Sequence, residues 1–361
     1  MPMTSRNLSA LLHHFREHPF SAGQIGNDLI YRMTRRVFFN RTVLPWKPLT
    51  LSIVATGRCN LNCSMCHTHS PQMPNDYAWK QESTADMNLE TFQYTLDRFR
   101  NAIHVSIVGQ GEPLLNATFY RMIEYAAIRR HMIVTSVSNG VELHDHINAL
   151  VESHLHRISI SINGYNKEEY QRMTGNAPEM FSLACNNTQW LIQMRNSRKS
   201  HLIVECSFII DQENYRHIPD FIRLGERLGA DCVHLINFLP APCDGFRPQH
   251  RSLLASDQSV VGFLRSMKET TWRTGVSFPR VLDLAGQNKR CRTHFTVLRI
   301  DGNGNYSGCP IMLLKMGQQH KITDVEVWNS VFFKEMRRRF LSPAKEDLLE
   351  PCTLCPTNYR V

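Results

Sequence analysis

The sequence contains no apolar run that approaches the roughly 20 residues needed for a membrane-spanning helix. Its opening stretch, MPMTSRNLSALLHHFREHPF, has no continuous apolar segment followed by a small-residue cleavage site, as a secretory signal would. The 361 residues also contain no internal repeat and no low-complexity tract. We therefore expect a cytoplasmic globular protein without a membrane span.

Charge of one sign is not strongly dominant either. Lys and Arg number 41 against 32 Asp and Glu, a net charge of +9. This excess is compatible with an anionic substrate, a nucleic acid or an acidic surface, but it most often reflects a solvated basic face. The densest basic runs, at 32–41 and 337–339, lack the aromatic and glycine signature of a nucleic-acid module, so no nucleic-acid partner is expected.

Strand-like and helical segments alternate between residues 49 and 240. Six strands are predicted, with helical patterns between them, at 49–56, 104–109, 131–138, 157–162, 201–210 and 231–239. Such alternation predicts a parallel sheet with helices outside. Because a complete eight-fold barrel usually takes ~250 residues, six units predict an α/β fold, a partial (β/α)6 TIM-like barrel.

The remaining segments divide the chain further. Residues 1–48 have a helical pattern and form an N-terminal arm, 49–240 form the barrel, and 241–290 are a bridging segment rich in Pro and charge. Residues 291–361 form a small C-terminal α+β domain, with a strand at 296–301 and a helix near 331–340.

Eleven cysteines are many for a reducing compartment, so clustered cysteines indicate metal or redox sites. Cys59, Cys63 and Cys66 crowd into RCNLNCSMCHTH, directly after the first predicted strand, with the spacing Cys-x3-Cys-x2-Cys. A [4Fe-4S] cube takes four thiolates, so three would leave one iron open. A zinc site completed by His67 or His69 is the alternative reading.

The run CNLNCSMC resembles the signature of the radical S-adenosylmethionine (radical SAM) superfamily. One departure is Met65, where the family commonly has an aromatic residue. VGQGEPLLN, after the second strand, resembles the Gly-Gly-Glu-Pro motif through Gly111 and Glu112, with Gln110 in place of the first Gly. In the family this strand end holds the methionine ammonium of the cofactor.

Two further stretches match the family at later strand ends. SVSNG ends the third strand, where the resemblance implies that Ser138 and Asn139 meet polar groups of the cofactor. SISINGYNKEEYQRMTG resembles the fourth-strand segment and implies that Ser161 and Arg172 approach its ribose and carboxylate. Asn163 departs from the usual Asp and is left out.

The resemblance implies the cofactors and the chemistry. Three cysteines hold a [4Fe-4S] cluster, and the fourth iron binds S-adenosylmethionine through its amino and carboxylate groups. One electron, from a donor such as flavodoxin or ferredoxin, releases methionine and a 5′-deoxyadenosyl radical. That radical takes a hydrogen atom from the substrate, while the protein aims the radical and excludes water.

The second cysteine group consists of Cys291, Cys309, Cys352 and Cys355. Four thiolates satisfy either one [4Fe-4S] cluster or one zinc ion, and the spacing alone does not decide between them. The layout, with Gly304 ahead of Cys309, resembles the C-terminal auxiliary-cluster domain called SPASM, in its abbreviated "twitch" form. The resemblance implies one auxiliary [4Fe-4S] cluster that relays electrons.

The other cysteines and histidines are given mostly structural roles. Cys185, Cys206, Cys232 and Cys243 are expected to be structural, although one could return a hydrogen atom to a substrate radical. The stretch from residue 67 to 86 is a candidate lid, in which His67 and His69 are expected to be exposed rather than acid–base groups. His234 is expected to be a core residue.

Taken together, the sequence predicts a radical SAM oxidoreductase acting on a small polar metabolite, such as a sugar, an aminocyclitol or a nucleotide derivative. Alternatives are a peptide or protein maturase, a redox-neutral epimerase, and a non-enzymatic zinc adaptor. The arm at 1–48 is shorter than the winged-helix domain that peptide maturases often carry, which favours a small molecule.

Overall fold

The fold was analysed in a computed structural model that describes residues 5–38, 40–77, 80, 85–241, 243–284, 291–309, 320–342, 344, 347–348 and 350–355. One sheet organises these residues. Its nine strands are β1 (Thr50–Val54), β2 (His104–Val108), β3 (Ile133–Ser138), β4 (Arg157–Ser161), β5 (Ile203–Ile210), β6 (Cys232–Asn237), β7 (Gly275–Ser277), β8 (Val297–Ile300) and β9 (Tyr306–Ser307).

The strands lie in the order β7-β6-β5-β4-β3-β2-β1-β8-β9. Neighbours from β7 to β8 are parallel, and β9 pairs with β8 in the antiparallel direction. The six strands predicted from the sequence are β1 to β6, in chain order. The sheet does not close on itself, so the prediction of a partial α/β barrel is confirmed.

The helices follow the predicted alternation and add to it. They are α1 (Ser5–Glu17), α2 (Ala22–Phe38), α3 (Leu89–Arg98), α4 (Phe119–Glu124), α5 (Ile147–Glu152), α6 (Lys167–Thr174), α7 (Pro178–Ser197), α8 (Ile218–Leu228), α9 (Pro248–Arg251), α10 (Gln258–Glu269), α11 (Thr293–Thr296), α12 (Val331–Leu341) and α13 (Glu350–Thr353). The bridging segment thus contains two helices and β7. No helix in the described ranges has the length and apolar character to cross a membrane.

The two faces of the sheet differ in polarity. In β4, Ile158 and Ile160 are fully buried and join the core beneath the helices. Arg157, Ser159 and Ser161 alternate with them and lie on the other, half-exposed face. The same alternation in β2 and β3 leaves half-exposed side chains on that face. The open barrel therefore encloses a partly solvated lumen, whereas a complete barrel has a packed interior.

The N-terminal arm covers the end of the barrel at which the strands begin. The Gln24 side chain donates to the carbonyls of Ala102 and Arg130, which precede β2 and β3, at 2.9 and 3.0 Å. The Asn27 amide nitrogen donates to the carbonyl of Asn101 at 3.2 Å. Helices α1 and α2 consequently lie at the opposite end from the loops that follow the strands.

The C-terminal residues pack closely on the barrel. Strand β8 pairs with β1, and the buried Arg337 of α12 ties several segments together. Its guanidinium donates to the carbonyls of His294, Thr42 and Trp328 at 3.1, 2.9 and 3.0 Å. It also lies over the Trp328 ring, 4.5 Å from the centroid. The boundary at residue 291 between two domains stays a prediction.

Candidate active site

The first cysteine group lies in the loop that leaves the carboxyl end of β1. Cys59, Cys63 and Cys66 are half-buried, and none forms a disulfide. Burial, followed by the neighbouring thiols of Cys66 and Cys59, raises the pKa of Cys63 to about 12. Ionised thiolates at this place therefore require a cation beside them, which a metal cluster supplies.

Hydrogen-bond donors surround these sulfurs. The Asn176 side-chain nitrogen lies 3.2 Å from Cys63 Sγ, and the backbone N–H groups of Thr68 and His69 lie 3.4 and 3.3 Å from Cys66 Sγ. Hydrogen bonds to sulfur are among the features that tune iron–sulfur clusters. The donors around Cys63 and Cys66 therefore suit thiolate ligands of an iron–sulfur cluster.

Helix α6 fixes the loop from one side. The Ser64 N–H donates to the carbonyl of Thr174 at 2.7 Å, and its hydroxyl donates to the carbonyl of Met173 at 2.8 Å. Gly175 ends α6 with a φ of +70°, a left-handed conformation that favours glycine and turns the chain so that Asn176 reaches Cys63. Neither α6 nor the contact of Asn176 was predicted from the sequence; the Gly-Asn pair after a helical stretch was the available signal.

The Gly-Glu-Pro turn after β2 packs against the other side of the loop. A Cβ atom on Gly111 would lie 1.8 Å from the Arg58 carbonyl oxygen, so only glycine allows this approach. The N–H groups of Gly111 and Glu112 donate to the carbonyls of Thr56 and Arg58 at 3.2 and 2.8 Å. The turn and the cysteine loop therefore hold each other in place through their backbones.

Glu112 connects this turn to the end of β3. Its carboxylate, 3% exposed, accepts from the backbone N–H groups of Asn139 and Leu114 at 2.7 and 3.3 Å. The Asn139 side chain donates to Asn60, next to Cys59, at 2.6 Å. Burial raises the pKa of Glu112 to about 7, although these N–H donors favour the ionised form. The structure thus brings together Gly111, Glu112, Asn139 and the cysteine loop; Ser138 directly precedes Asn139.

Ser161 and Arg172 lie further along the same end of the barrel. The Ser161 hydroxyl is 3.2 Å from that of Ser207 on the lumen face. The three nitrogens of Arg172 donate to the carboxylates of Glu169, Asp211 and Glu213, at 2.8 to 3.2 Å. Arg172 therefore joins α6 to the end of β5, and its contact with a cofactor stays a prediction.

The histidines near the cysteine loop differ from expectation. His67 was expected to be exposed, and this is wrong: it is buried, and its Nε2 lies 2.9 Å from the Leu239 carbonyl. His69 is half-buried and lies near the backbone of Gln110 and Gly57. Burial lowers the pKa of both imidazoles, so both are neutral near pH 7.

His234 is not a core residue, contrary to expectation. It is half-buried on the lumen side of β6, and its Nε2 lies 3.3 Å from the Glu205 carboxylate. Cys232 belongs to the same group, since ligand atoms of the three residues lie within 4.8 Å of one another. Cys185 and Cys206 lie in the hydrophobic core, as expected.

The second cysteine group spans several C-terminal elements. Cys291 precedes α11, Cys309 follows β9, Cys352 lies in α13, and Cys355 follows it. The buried His294 places its Nε2 3.5 Å from Cys352 Sγ, a contact that the sequence analysis did not anticipate. The only indication in the sequence was that His294 lies three residues after Cys291.

Comparison with known proteins adds a family match. Residues 53–224 match the family described as "Radical SAM superfamily". A relative named "Probable GTP 3',8-cyclase" from Methanocaldococcus jannaschii is 23% identical over 193 residues, covering 53% of this chain and 59% of its own. A protein of the same name from Saccharolobus islandicus is 23% identical over 190 residues, covering 53% and 57%. The chain thus spans less than two thirds of the length of these curated relatives.

Solved structures resemble this fold more extensively. SuiB from Streptococcus suis, bound to S-adenosylmethionine, has a TM-score of 0.61 and 13% identity, covering 92% of this chain and 72% of its own. Native anSMEcpe with bound AdoMet has a TM-score of 0.60 and 16% identity, covering 86% and 89%. At these identities the likeness establishes the fold alone.

Proposed function

This chain belongs to the radical SAM superfamily through residues 53–224, and from that premise we propose that it oxidises or otherwise remodels a small polar metabolite. The cofactors of the superfamily are a [4Fe-4S] cluster and S-adenosylmethionine. We assign the cluster to Cys59, Cys63 and Cys66, whose half-buried thiols and surrounding N–H donors fit it. Bound there, these cofactors would supply radical chemistry that removes a hydrogen atom from a substrate C–H bond.

The residues around the loop would orient the bound cofactor. Glu112 and Asn139, which are hydrogen-bonded to each other, contact the two neighbours of Cys59. The Glu112 N–H donates to the Arg58 carbonyl, and the Asn139 side chain donates to Asn60. The buried Glu112 carboxylate would suit the ammonium of a methionine moiety, because a bound cation favours its ionised form. Rigid backbone contacts on both sides of the loop keep these groups in place before the cofactor binds.

The polarity of the lumen is the observation that favours a small polar substrate. Hydroxyl side chains alternate along its face, among them Ser106, Thr135, Ser159, Ser161 and Ser207. Such a face offers donors and acceptors to a molecule rich in hydroxyl or amino groups. The curated relatives named as GTP 3',8-cyclases add support for a nucleotide derivative.

Oxidation of a substrate radical also requires loss of a proton and an electron. His234 and Glu205 form an imidazole–carboxylate pair on the lumen face, beside Arg157, whose Nε lies 3.5 Å from Glu205. We assign proton acceptance to His234. Cys291, Cys309, Cys352 and Cys355 would hold an auxiliary cluster, in a SPASM/twitch-type unit, that would supply one-electron redox chemistry. A flavodoxin or ferredoxin would be the external electron donor for cofactor cleavage.

A peptide maturase is the second candidate. SuiB and anSMEcpe are also described in complex with peptides, a precursor peptide SuiA and a Cp18Cys peptide. Their fold covers most of this chain. An open barrel mouth would admit a peptide segment as well as a metabolite.

Iron content and cofactor cleavage test the cluster assignment. Anaerobically reconstituted protein is expected to hold roughly eight irons per chain, four in each cluster, and to convert S-adenosylmethionine to 5′-deoxyadenosine. Cys63→Ala should abolish this conversion, and Cys309→Ala should lower the iron content by roughly half while leaving cleavage measurable. Cys185→Ala, a core cysteine outside both groups, is the matched control and should keep all the iron.

The outcomes separate the two sites. Undiminished 5′-deoxyadenosine from Cys63→Ala would overturn the cofactor site, and full iron in Cys309→Ala would overturn the auxiliary cluster. For the substrate class, deuterated nucleotides, aminocyclitols and peptides are supplied in turn, and deuterium in the 5′-deoxyadenosine identifies the hydrogen donor. Transfer from peptides alone would replace the metabolite proposal with the maturase.

A further inference from the structure

A group of histidines lies at the amino-terminal end of the barrel, opposite the cysteine loop. It surrounds a cavity of about 380 Å³ between α1 and the segments that enter β4 and β5. Six histidines line this cavity, and a seventh, His131, lies beside it; the six are His13, His14, His18, His154, His156 and His201. None of them takes part in the chemistry proposed above.

Two of these histidines stand four residues apart at the end of α1. In the stretch HFREH, the N–H of His18 donates to the carbonyl of His14 at 2.7 Å, so the helical turn continues through His18. Residues four apart in a helix lie on the same face, and their rings here have centroids 5.7 Å apart. This spacing on a helix is one that metal-binding histidine pairs use.

A third histidine approaches from the loop before β4. His154 places its Nδ1 3.4 Å from His18 Nε2. With Zn–N distances of 2.0–2.1 Å, two nitrogens on a tetrahedral zinc are about 3.4 Å apart. The pair therefore already has the separation that a shared ion requires.

His14 supplies a second, independent observation. Its side chain is only 6% exposed, and one ring nitrogen donates to the backbone carbonyl of His131. The other, Nε2, is buried without a hydrogen-bond partner. A backbone carbonyl on one ring nitrogen fixes the tautomer and leaves the lone pair of the other available, as in histidines that bind metal. An unsatisfied buried nitrogen otherwise lowers stability.

The donor atoms that are available around the cavity determine which metal ions it can bind. Its carboxylates are engaged with arginines: Glu152 with Arg198, and Glu17 with Arg16. The available donors are therefore imidazole nitrogens, which suit zinc, nickel and copper, whereas magnesium and calcium prefer oxygen ligands.

We propose that His14, His18 and His154 bind a divalent transition-metal ion of the zinc class, with water completing the coordination. The ion joins α1 to the loop before β4, segments more than a hundred residues apart in the chain. Its role is structural: it holds the N-terminal arm against the amino-terminal end of the barrel. The nitrogens of His14, His18 and His154 do not all lie within 4.8 Å of one another. Binding of the ion therefore requires side-chain rotations that bring the half-buried His18 ring and the exposed His154 ring together toward His14 Nε2.

The test uses tag-free, full-length protein with its iron–sulfur clusters in place, so that the cluster thiolates are already occupied. The protein is dialysed against micromolar Zn²⁺, and bound zinc is counted by mass spectrometry. We expect one zinc per chain, and binding at least tenfold weaker in the double variant His18→Ala/His154→Ala. The matched control replaces two exposed histidines elsewhere, His144→Ala/His250→Ala, and should bind like the wild type.

A second measurement reports on structure rather than on stoichiometry. Zinc should slow amide hydrogen exchange in α1 of the wild type and of the control, but not in the His18/His154 double variant. Unchanged 5′-deoxyadenosine formation in all three proteins shows that the variants are folded. Equal zinc binding by the two double variants, or no zinc in the wild type, would overturn the proposal, and neither result bears on the radical chemistry.

Discussion

Replacing Gly111 with Ala tests whether the backbone contact between the Gly-Glu-Pro turn and the cysteine loop is required. The new Cβ would lie 1.8 Å from the Arg58 carbonyl oxygen, and Cβ contacts shorter than 3.0 Å are essentially never observed. The two segments must therefore separate by at least 3.0 − 1.8 = 1.2 Å. The displaced carbonyl directly precedes Cys59, so the shift passes to a cluster ligand.

The magnitude follows from this displacement. Overpacking of this kind costs about 1–3 kcal/mol of unfolding free energy. A misplacement of about 1 Å near a reacting group lowers rates by about 100-fold. We expect Gly111→Ala to show both effects, measured by denaturant unfolding and by the initial rate of 5′-deoxyadenosine formation.

Gly262→Ala is the matched control. Gly262 lies inside α10, and its Cβ would meet nothing within 4 Å. Alanine there should stabilise the protein by about 0.5–1 kcal/mol and leave cofactor cleavage unchanged. If Gly111→Ala kept wild-type iron content and wild-type cleavage, the contact with Arg58 would not position the cluster loop, and the reasoning would be wrong.

Two further predictions concern buried charges. Arg337→Met should lower the unfolding free energy by about 1–3 kcal/mol, because three buried carbonyls lose their donor. The exposed Arg338→Met should change it by less than about 0.5 kcal/mol, and equal effects would contradict the assigned role. Glu112 has a folded pKa of about 7, raised by burial, so its stabilising contribution is complete below its unfolded pKa and is lost as the pH rises through 7. Between pH 5 and 8 the wild type should lose about 2–3 kcal/mol relative to Glu112→Gln in denaturant titrations; parallel pH profiles would refute this.

The sequence predicted the barrel strands well because short apolar runs, or apolar residues at alternate positions, mark each strand locally. It predicted neither α10 nor β7, since the segment at 241–290 has short elements between Pro residues and a weaker pattern. The pairing of β8 with β1 was also missed. Strand partners more than two hundred residues apart leave no local mark in a single sequence.

In the candidate site, too, local motifs could be predicted from the sequence and long-range contacts could not. The cysteine spacing and the Gly-Glu-Pro turn are local motifs, so residues 59 to 66 and Gly111 could be identified from the sequence. The donors that surround them come from elsewhere: Asn176 reaches Cys63 across 113 positions. The burial of His67 depends on the chain near Leu239, which the sequence gives no means of placing.

The parallel pairing of β8 with β1 has a consequence for how the protein can be divided. Leu51 and Ile53 of β1 lie opposite Leu298 and Ile300, and all four side chains are fully buried. In a chain shortened before residue 291, the backbone N–H and C=O groups of β1 that face β8 would lose their partners along an apolar edge, although β1 would still pair with β2. Such an edge pairs readily with other chains, so the barrel without its C-terminal strands is expected to aggregate rather than behave as a smaller soluble enzyme.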